Sequence, residues 1–302
     1  MKTKPIVSIA IPVHNEEGNV EPLYREIRGI MKKIGLAYEI VLVNDGSTDE
    51  TGAILRRLKQ KDRFLRVIEL QGNFGEAAAL SAGFRYARGK WIINMDGDGQ
   101  NDPRVIPVFV QKLQEGYRAV TGWRKDRKES YWIRVFPSRV ANWIISQITG
   151  VRVHDNGCGL KGYDASLVKG FSIPHGFHRF LPALFGVKGE EVAEVKVMDR
   201  RRQYGASHYG LGRTFEVIRE LSTIRFVIAD AHRWHRRFMI IRLVTAIATV
   251  ILLGYLVFRP TLLNLIIFLL ITIINFFCWP VSRNLKRFRR AQREGVFKGK
   301  EI

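Results

Sequence analysis

Two carboxylates with one residue between them, Asp96 and Asp98, lie in Asp96-Gly97-Asp98-Gly99-Gln100. The stretch directly follows an apolar run, Trp91 to Met95, which reads as a buried strand. The acids therefore stand where a strand ends and a loop begins. In an open α/β sheet that edge is where ligands bind. Hard divalent cations take carboxylate and carbonyl oxygens, and Mg²⁺ is typically held by one or two carboxylates plus substrate phosphates. The chemistry expected here is a metal bridging the protein to a diphosphate. An Asp-Gly loop is also what an ordinary turn looks like, so the reading needs companions.

Two companions stand at other strand ends. Glu16 follows a first apolar run in Pro12-Val13-His14-Asn15-Glu16-Glu17, and Asp45 follows a second in Val43-Asn44-Asp45-Gly46-Ser47. The intervening pattern predicts strands at 7–13, 39–43, 65–70 and 91–95, with helices over 19–34, 49–61 and 74–88. Strands alternating with helices of this length imply βαβ units and a mostly parallel sheet. All the parallel strand ends then face one edge, so Glu16, Asp45, Asp96 and Asp98 can converge on one crevice. No Gly-x-Gly-x-x-Gly follows the first strand, which disfavours a dinucleotide fold. Beyond residue 125 the pattern loosens. Helices are expected at 133–149 and 177–185, a loop at 155–162, a strand at 191–198 and a basic loop at 200–212.

The 302 residues carry a formal net charge of +21, which points to an anionic partner: nucleic acid, anionic lipid or a phosphorylated substrate. Two cysteines, Cys158 and Cys278, give neither a disulfide framework nor a zinc spacing. Residues 238–258 hold one charge, Arg242, and residues 261–281 hold none. Each stretch reaches the roughly 20 apolar residues needed to cross a hydrocarbon core. Arg233, Arg236 and Arg237 precede the first; Arg283, Lys286, Arg287, Arg289, Arg290 and Arg293 follow the second. The turn between them has only Arg259. The positive-inside rule places both flanks in the cytoplasm. The expected layout is a cytoplasmic catalytic domain over 1–212, a juxtamembrane amphipathic helix over 213–237, two spans within 238–281 and a basic tail over 282–302. The expected location is the inner membrane of the cell.

The motifs at 11–16, 43–49 and 96–100 together resemble those of the GT-A glycosyltransferases of family 2. His178-Arg179-Phe180-Leu181-Pro182, Glu194-Val195-Lys196-Val197 and Arg202-Gln203-Tyr204-Gly205-Ala206-Ser207-His208 extend the likeness to the polyprenyl-phosphate branch, akin to dolichol-phosphate mannose synthase. The resemblance covers about residues 5 to 215 and implies a Rossmann-like nucleotide-diphospho-sugar transferase domain. It implies that Pro12, Glu16, Asp45 and Asp96 hold a sugar nucleotide. Asp96, Asp98 and Gln100 would hold Mg²⁺ or Mn²⁺. Arg124, Arg139, Arg202 and Ser207 would meet the donor diphosphate or acceptor phosphate. Asp98, Asp155 and Arg202 would stand at the reacting centre. His208 replaces the family's usual lysine, and Asp-Gly-Asp replaces its more usual Asp-Ala-Asp, a change expected to matter little.

The implied activity is inverting transfer of one sugar from a UDP- or GDP-sugar to polyprenyl phosphate at the membrane, with a homo-oligomer left open. Two rival readings stand beside it. A processive polysaccharide synthase should show a Gln-x-x-Arg-Trp loop, whereas Gln203 is followed by Tyr204-Gly205-Ala206. A membrane-anchored nucleic-acid binder fits the net charge, yet the basic residues gather beside the spans and no nucleic-acid motif appears.

Overall fold

A computed structural model describes residues 4–124, 136–200 and 212–302, with the side chains of 136–141 and 212–219 outside the description. The chain divides into two compact units, 1–209 with 295–302, and 210–294.

The first unit opens β1 (Val7–Val13), α1 (Val20–Ile34), β2 (Tyr38–Asn44), α2 (Thr51–Lys61), β3 (Leu65–Leu70), α3 (Glu76–Tyr86) and β4 (Trp91–Asn94). It continues through α4 (Ile106–Gln114), β5 (Ala119–Arg124), α5 (Phe136–Thr149), β6 (Lys161–Asp164), the short helices α6 (Ala165–Val168) and α7 (Leu181–Leu184), and β7 (Val192–Val197). The second unit holds α8 (Gly212–Phe258) and α9 (Leu262–Glu294), after which β8 (Gly299–Glu301) rejoins the first.

The eight strands form one sheet in the order β7-β5-β6-β4-β1-β2-β3-β8. Only β6 and β8 run against the rest. The strands β1, β2 and β4 are buried on both faces because helices cover both, as a parallel sheet requires. Val20, Leu23, Tyr24, Ile27 and Met31 form the buried stripe of α1, at helical spacing. The Ala-rich α3 lies close on the sheet: a Cβ at Gly83 would sit 3.1 Å from that of Ala10.

The chain builds outward from β1 to β2 and β3, then crosses back to place β4 on the other side of β1. That reversal makes β1 a topological switch point, with a crevice outside its carboxyl end. Pro12 fits there for a backbone reason. The pairing of β1 with β4 ends at Ala10 and Asn94, while the β2 side continues to Val13. Met95 N–H bonds to Ala10 O, so residue 12, of the same parity, faces the side where β4 has ended. Its missing N–H costs no ladder bond.

Three strands were not expected. β5 was not read at all, β6 begins inside the predicted loop at 155–162, and β8 lies in the segment read as a tail. The segment 282–302 thus divides: α9 runs to Glu294, and Gly299–Glu301 pair antiparallel with Leu70–Ile68. β8 is held firmly. Gln71 N–H donates to Lys298 O at 2.9 Å and Ile302 N–H to Val67 O at 3.1 Å. Glu301 takes a forked bond from the buried Arg66, from Nε at 2.7 Å and from Nη2 at 2.6 Å.

In the second unit α8 breaks at Asp230, whose extended backbone (φ 178°) separates residues 212–229 from a second helical segment, 231–258. Asp230 Oδ1 accepts from Arg233 N–H at 2.9 Å and so caps the second segment. Both long helices are apolar enough to cross a membrane, and no residue of their apolar windows is buried. Asn275 Nδ2 on α9 donates to Thr245 Oγ1 and to Arg242 O on α8, at 2.8 and 3.0 Å, a polar link between otherwise apolar helices.

Candidate active site

Three loops meet at the carboxyl ends of β1, β2 and β3. The first two are stitched together by backbone-to-side-chain bonds. Asn15, at φ 55°, donates its N–H to Ser47 Oγ at 3.0 Å and accepts Thr48 N–H at Oδ1 at 2.8 Å. Glu16 N–H bonds to Thr51 Oγ1 at 2.8 Å, and the Glu16 carboxylate accepts from Asn19 Nδ2 at 2.6 Å. Glu17 N–H donates to Asp49 Oδ2 at 3.2 Å, and Glu50 N–H donates to Glu17 Oε2 at 3.0 Å. The third loop closes on Asp45. Its two carboxylate oxygens accept Phe74 N–H and Gly75 N–H, both at 2.8 Å. Gly46, at φ 64°, makes this closure feasible, since a Cβ there would lie 2.4 Å from the carbonyl carbon of Gly72.

His14 joins all three loops. Its Nδ1 donates to Asp45 O at 2.8 Å and its Nε2 accepts from Asn73 Nδ2 at 3.1 Å. The tautomer is assigned from the network: Asn73 Oδ1 accepts from Gly75 N–H, which fixes its Nδ2 towards the histidine.

The Asp96–Gln100 loop faces these from the far side of the switch point. Asp96 N–H bonds to Asn101 Oδ1 and Gln100 N–H to Asp98 Oδ1, each at 3.0 Å. Gly97 packs directly on β1: a Cβ there would meet Pro12 O and Val13 Cγ1 at 2.7 Å. Alanine at 97 would therefore require a shift, contrary to the sequence expectation for this position. Gly159 stands behind Asp96, where a Cβ would overlap its carboxylate at 1.9 Å, and Asn94 Nδ2 holds Gly159 O at 2.7 Å.

Burial pushes the Asp96 carboxyl up to about 7, and the carboxylates of Glu76 and Asp98 add to the rise against Lys161 and Arg124. Carboxylates this close favour a positive counter-charge between them. Among the described residues no three His, Cys, Asp or Glu groups are arranged as a closed metal cage. Two adjacent carboxylates with a neighbouring amide oxygen suit a hard ion whose remaining ligands come from phosphate and water. Asp96, Asp98 and Gln100 fit such an ion by donor type.

Arg124 and Asp155 are paired with each other. Arg124 Nε and Nη2 donate to the two Asp155 oxygens at 2.7 and 3.0 Å, and Nη1 reaches Asp199 Oδ2 at 3.4 Å. Burial would lower the Arg124 pKa, but the hydrogen bonds and charge of Asp155 outweigh it and raise it. Lys161 is buried beside them, its Nζ donating to Cys158 O, and burial lowers its pKa. Arg139 lies on α5, where only the backbone is described, and Arg202 and Ser207 lie outside the described residues. A cleft of about 420 Å³, lined by Asn44, Ser47, Arg56 and Gln71 among others, opens on the α2 side of the β2 end and includes neither Asp96 nor Asp98.

Sequence reading brought Pro12, Glu16, Asp45, Asp96, Asp98 and Gln100 to this edge, where the structure also has them. It missed Glu76, Lys161, Asn101 and Arg200. Glu76 had a signal, since Asn73-Phe74-Gly75-Glu76 opens a helix at a strand end on the same edge. Lys161 had none, because nothing in Gly159-Leu160-Lys161 announces a buried strand.

A mixed sheet with its crevice at the β1 switch point and an Asp-x-Asp loop across it defines the GT-A class of nucleotide-sugar transferase folds. Residues 8–171 match the family described as Glycosyl transferase family 2, and the chain belongs to that family. It is 42% identical over 224 residues to a dodecaprenyl-phosphate galacturonate synthase of Rhizobium johnstonii, covering 73% of this chain and 66% of that protein. An undecaprenyl-phosphate 4-deoxy-4-formamido-L-arabinose transferase of Pseudomonas paraeruginosa is 36% identical over 226 residues, covering 74% and 66%. The match thus spans just under two thirds of these relatives. In fold the chain is similar to a glucosyl-3-phosphoglycerate synthase of Mycobacterium tuberculosis, solved with Mn²⁺ and UDP. The TM-score is 0.55 at 17% identity, covering 74% of this chain and 80% of that one.

Proposed function

We propose that the chain transfers a single sugar, with inversion, from a nucleotide sugar to polyprenyl phosphate at the cytoplasmic face of a membrane. The observation that carries this is the pair Asp96 and Asp98 facing the Pro12–Glu16–Asp45 crevice across the switch point, in a chain with an exposed apolar hairpin. The names of the two relatives support the lipid phosphate as acceptor. The Mn²⁺ and UDP bound in the fold neighbour support a metal-assisted nucleotide donor.

Pro12, Glu16 and Asp45 would hold the nucleoside against loops already fixed by His14. Asp96, Asp98 and Gln100 would hold Mg²⁺ or Mn²⁺, which when bound supplies positive charge to the departing diphosphate. A lipid phosphate is itself an anionic nucleophile, so no strong base has to be built. Asp155 fits this economy: both of its oxygens serve Arg124. Its role is to aim that guanidinium, whose planar fork suits phosphate. Arg139, Arg202 and Ser207 complete the proposed diphosphate and acceptor contacts.

The test is Asp98→Asn in purified full-length protein, given a panel of labelled nucleotide sugars and polyprenyl phosphate, with the lipid product read by mass. Transfer should fall by about 100-fold or more, a loss expected when a charge-stabilising group is removed, with membrane insertion unchanged. Transfer at the wild-type rate would reject the reading.

A further inference from the structure

The loop that carries Asp96 and Asp98 has a mechanical difficulty. It holds two like charges side by side and contains two glycines, one of them, Gly99, at φ 72°. Its own bonds, from Asp96 N–H to Asn101 and from Gln100 N–H to Asp98, fold it on itself. The end of β7 ties it to more distant elements. Arg200 N–H donates to Gln100 O at 2.7 Å, and Asp199 forms a bridge with Asn101.

The Arg200 side chain anchors that contact in two directions. Nη1 and Nη2 fork onto the two oxygens of Glu26 on α1, at 2.7 and 2.6 Å. Nη2 also donates to Asp102 Oδ1 at 2.6 Å, at the point where the loop turns towards α4. Asp199 in turn receives Arg124 Nη1. Residues 199 and 200 therefore connect the loop to α1 on one side and to the Arg124–Asp155 pair on the other. In sequence Arg200 only opens the basic loop at 200–212.

We propose that Arg200 is a positioning residue that sets Asp96, Asp98 and Gln100 for a divalent cation; this rests on the metal reading above. Arginine is suited because three bonds leave one planar group in fixed directions, which a lysine ammonium on a flexible stem does not reproduce. Its charge is matched by the two carboxylates it binds, so its influence on the loop is geometric. That makes the sign of its removal informative. Loss of geometry weakens cation binding, whereas relief of a repelling positive charge would strengthen it.

The experiment titrates Mn²⁺ alone into full-length protein in detergent micelles. Free Mn²⁺ is read by electron paramagnetic resonance, with thermal unfolding measured in parallel. Arg200→Met should weaken Mn²⁺ binding about 10-fold, the low end for residues that orient metal ligands. Its unfolding midpoint should stay near wild type. Arg200→Lys should recover part of the loss. Glu26→Gln keeps Arg200 and its Asp102 bond, and should weaken binding about threefold or more; it decides the matter if Arg200→Met does not fold. Wild-type affinity in both Arg200→Met and Glu26→Gln, or tighter binding in either, overturns the proposal and leaves the metal reading standing. Wild-type protein that binds no Mn²⁺ overturns the metal reading and the positioning role with it.

Discussion

The return of the chain to its own sheet makes Glu301 a residue whose removal should be felt throughout the first unit. Arg66, its partner, is 7% exposed and keeps a second carboxylate, Glu39, at 3.1 Å, while Glu301 is 33% exposed. Stripping the only partner from a buried charge costs about 3–5 kcal/mol. Here the guanidinium retains Glu39 and the carbonyl of Tyr86, and solvent screens part of the Glu301 charge. Glu301→Gln keeps one acceptor and should cost about 1–2 kcal/mol, the scale of one charge-assisted hydrogen bond weakened. For a unit of this size that is a fall of about 2–8 °C in the unfolding midpoint. Deleting 296–302 also removes the backbone bonds at Gln71 and Val67, and should roughly double the loss. The Arg66 hydrogen bonds hold the Glu301 pKa below the usual carboxylate range. Its contribution is therefore complete above the unfolded value and is lost as pH falls through the lower folded one. The assay is tryptophan-fluorescence unfolding in detergent at neutral pH and again near pH 4. The gap between wild type and Glu301→Gln should narrow in acid. A variant that melts with wild type at neutral pH refutes the idea that β8 stabilises the sheet.

Three further outcomes are expected. Gly97→Ala should destabilise the first unit by about 1–3 kcal/mol, the range for overpacking, and raise the donor KM more than it lowers kcat; an unchanged melt would show that Pro12 and Val13 yield freely. Asp155→Asn leaves the buried Arg124 with one weaker partner and should cost about 3 kcal/mol. Its transfer rate should fall further than that of Asp155→Glu, and equal rates would argue against an aiming role. Reporter fusions at the 259–261 turn and after Ile302 should report opposite sides of the membrane. The same side for both would contradict the hairpin.

The central sheet and half the site were legible because their signals are local. Apolar runs ending in Asn-Glu, Asn-Asp-Gly or Asp-Gly-Asp locate strand ends, and parallel topology gathers those ends without further information. What escaped reading depends on contacts distant in sequence. β6 is only Lys161–Asp164 and has no alternation to detect; it exists because β4 and β5 leave a gap it can fill. β8 is Gly-Lys-Glu, a poor strand by propensity, and forms because the edge of β3 and the Arg66 guanidinium await it. His14, Asn73 and Arg200 are ordinary polar residues until folding sets His14 between two loops and Arg200 against Glu26. The Arg124–Asp155 pair shows the converse limit. Residue types identified two site groups, but their pairing with each other appears only in the fold.

Membership of β8 in the sheet also constrains topology without reference to charge. Strands β1 to β7 and β8 belong to one compact unit, which the chain leaves at 210 and re-enters at 295. A sheet cannot be shared across a bilayer, because the strands would have to pair through lipid. On the membrane-spanning reading, residues 210–294 would therefore cross an even number of times. Two apolar helices satisfy that parity, and reading either one as a surface helix would break it. The basic flanks then choose the side. Arg233, Arg236 and Arg237 before the first span agree with Lys286, Arg287 and Arg289 after the second. Parity and charge bias are independent, one set by backbone pairing and the other by side chains. Both expectations agree with the proposed function, which needs the catalytic edge on the side where nucleotide sugars are found.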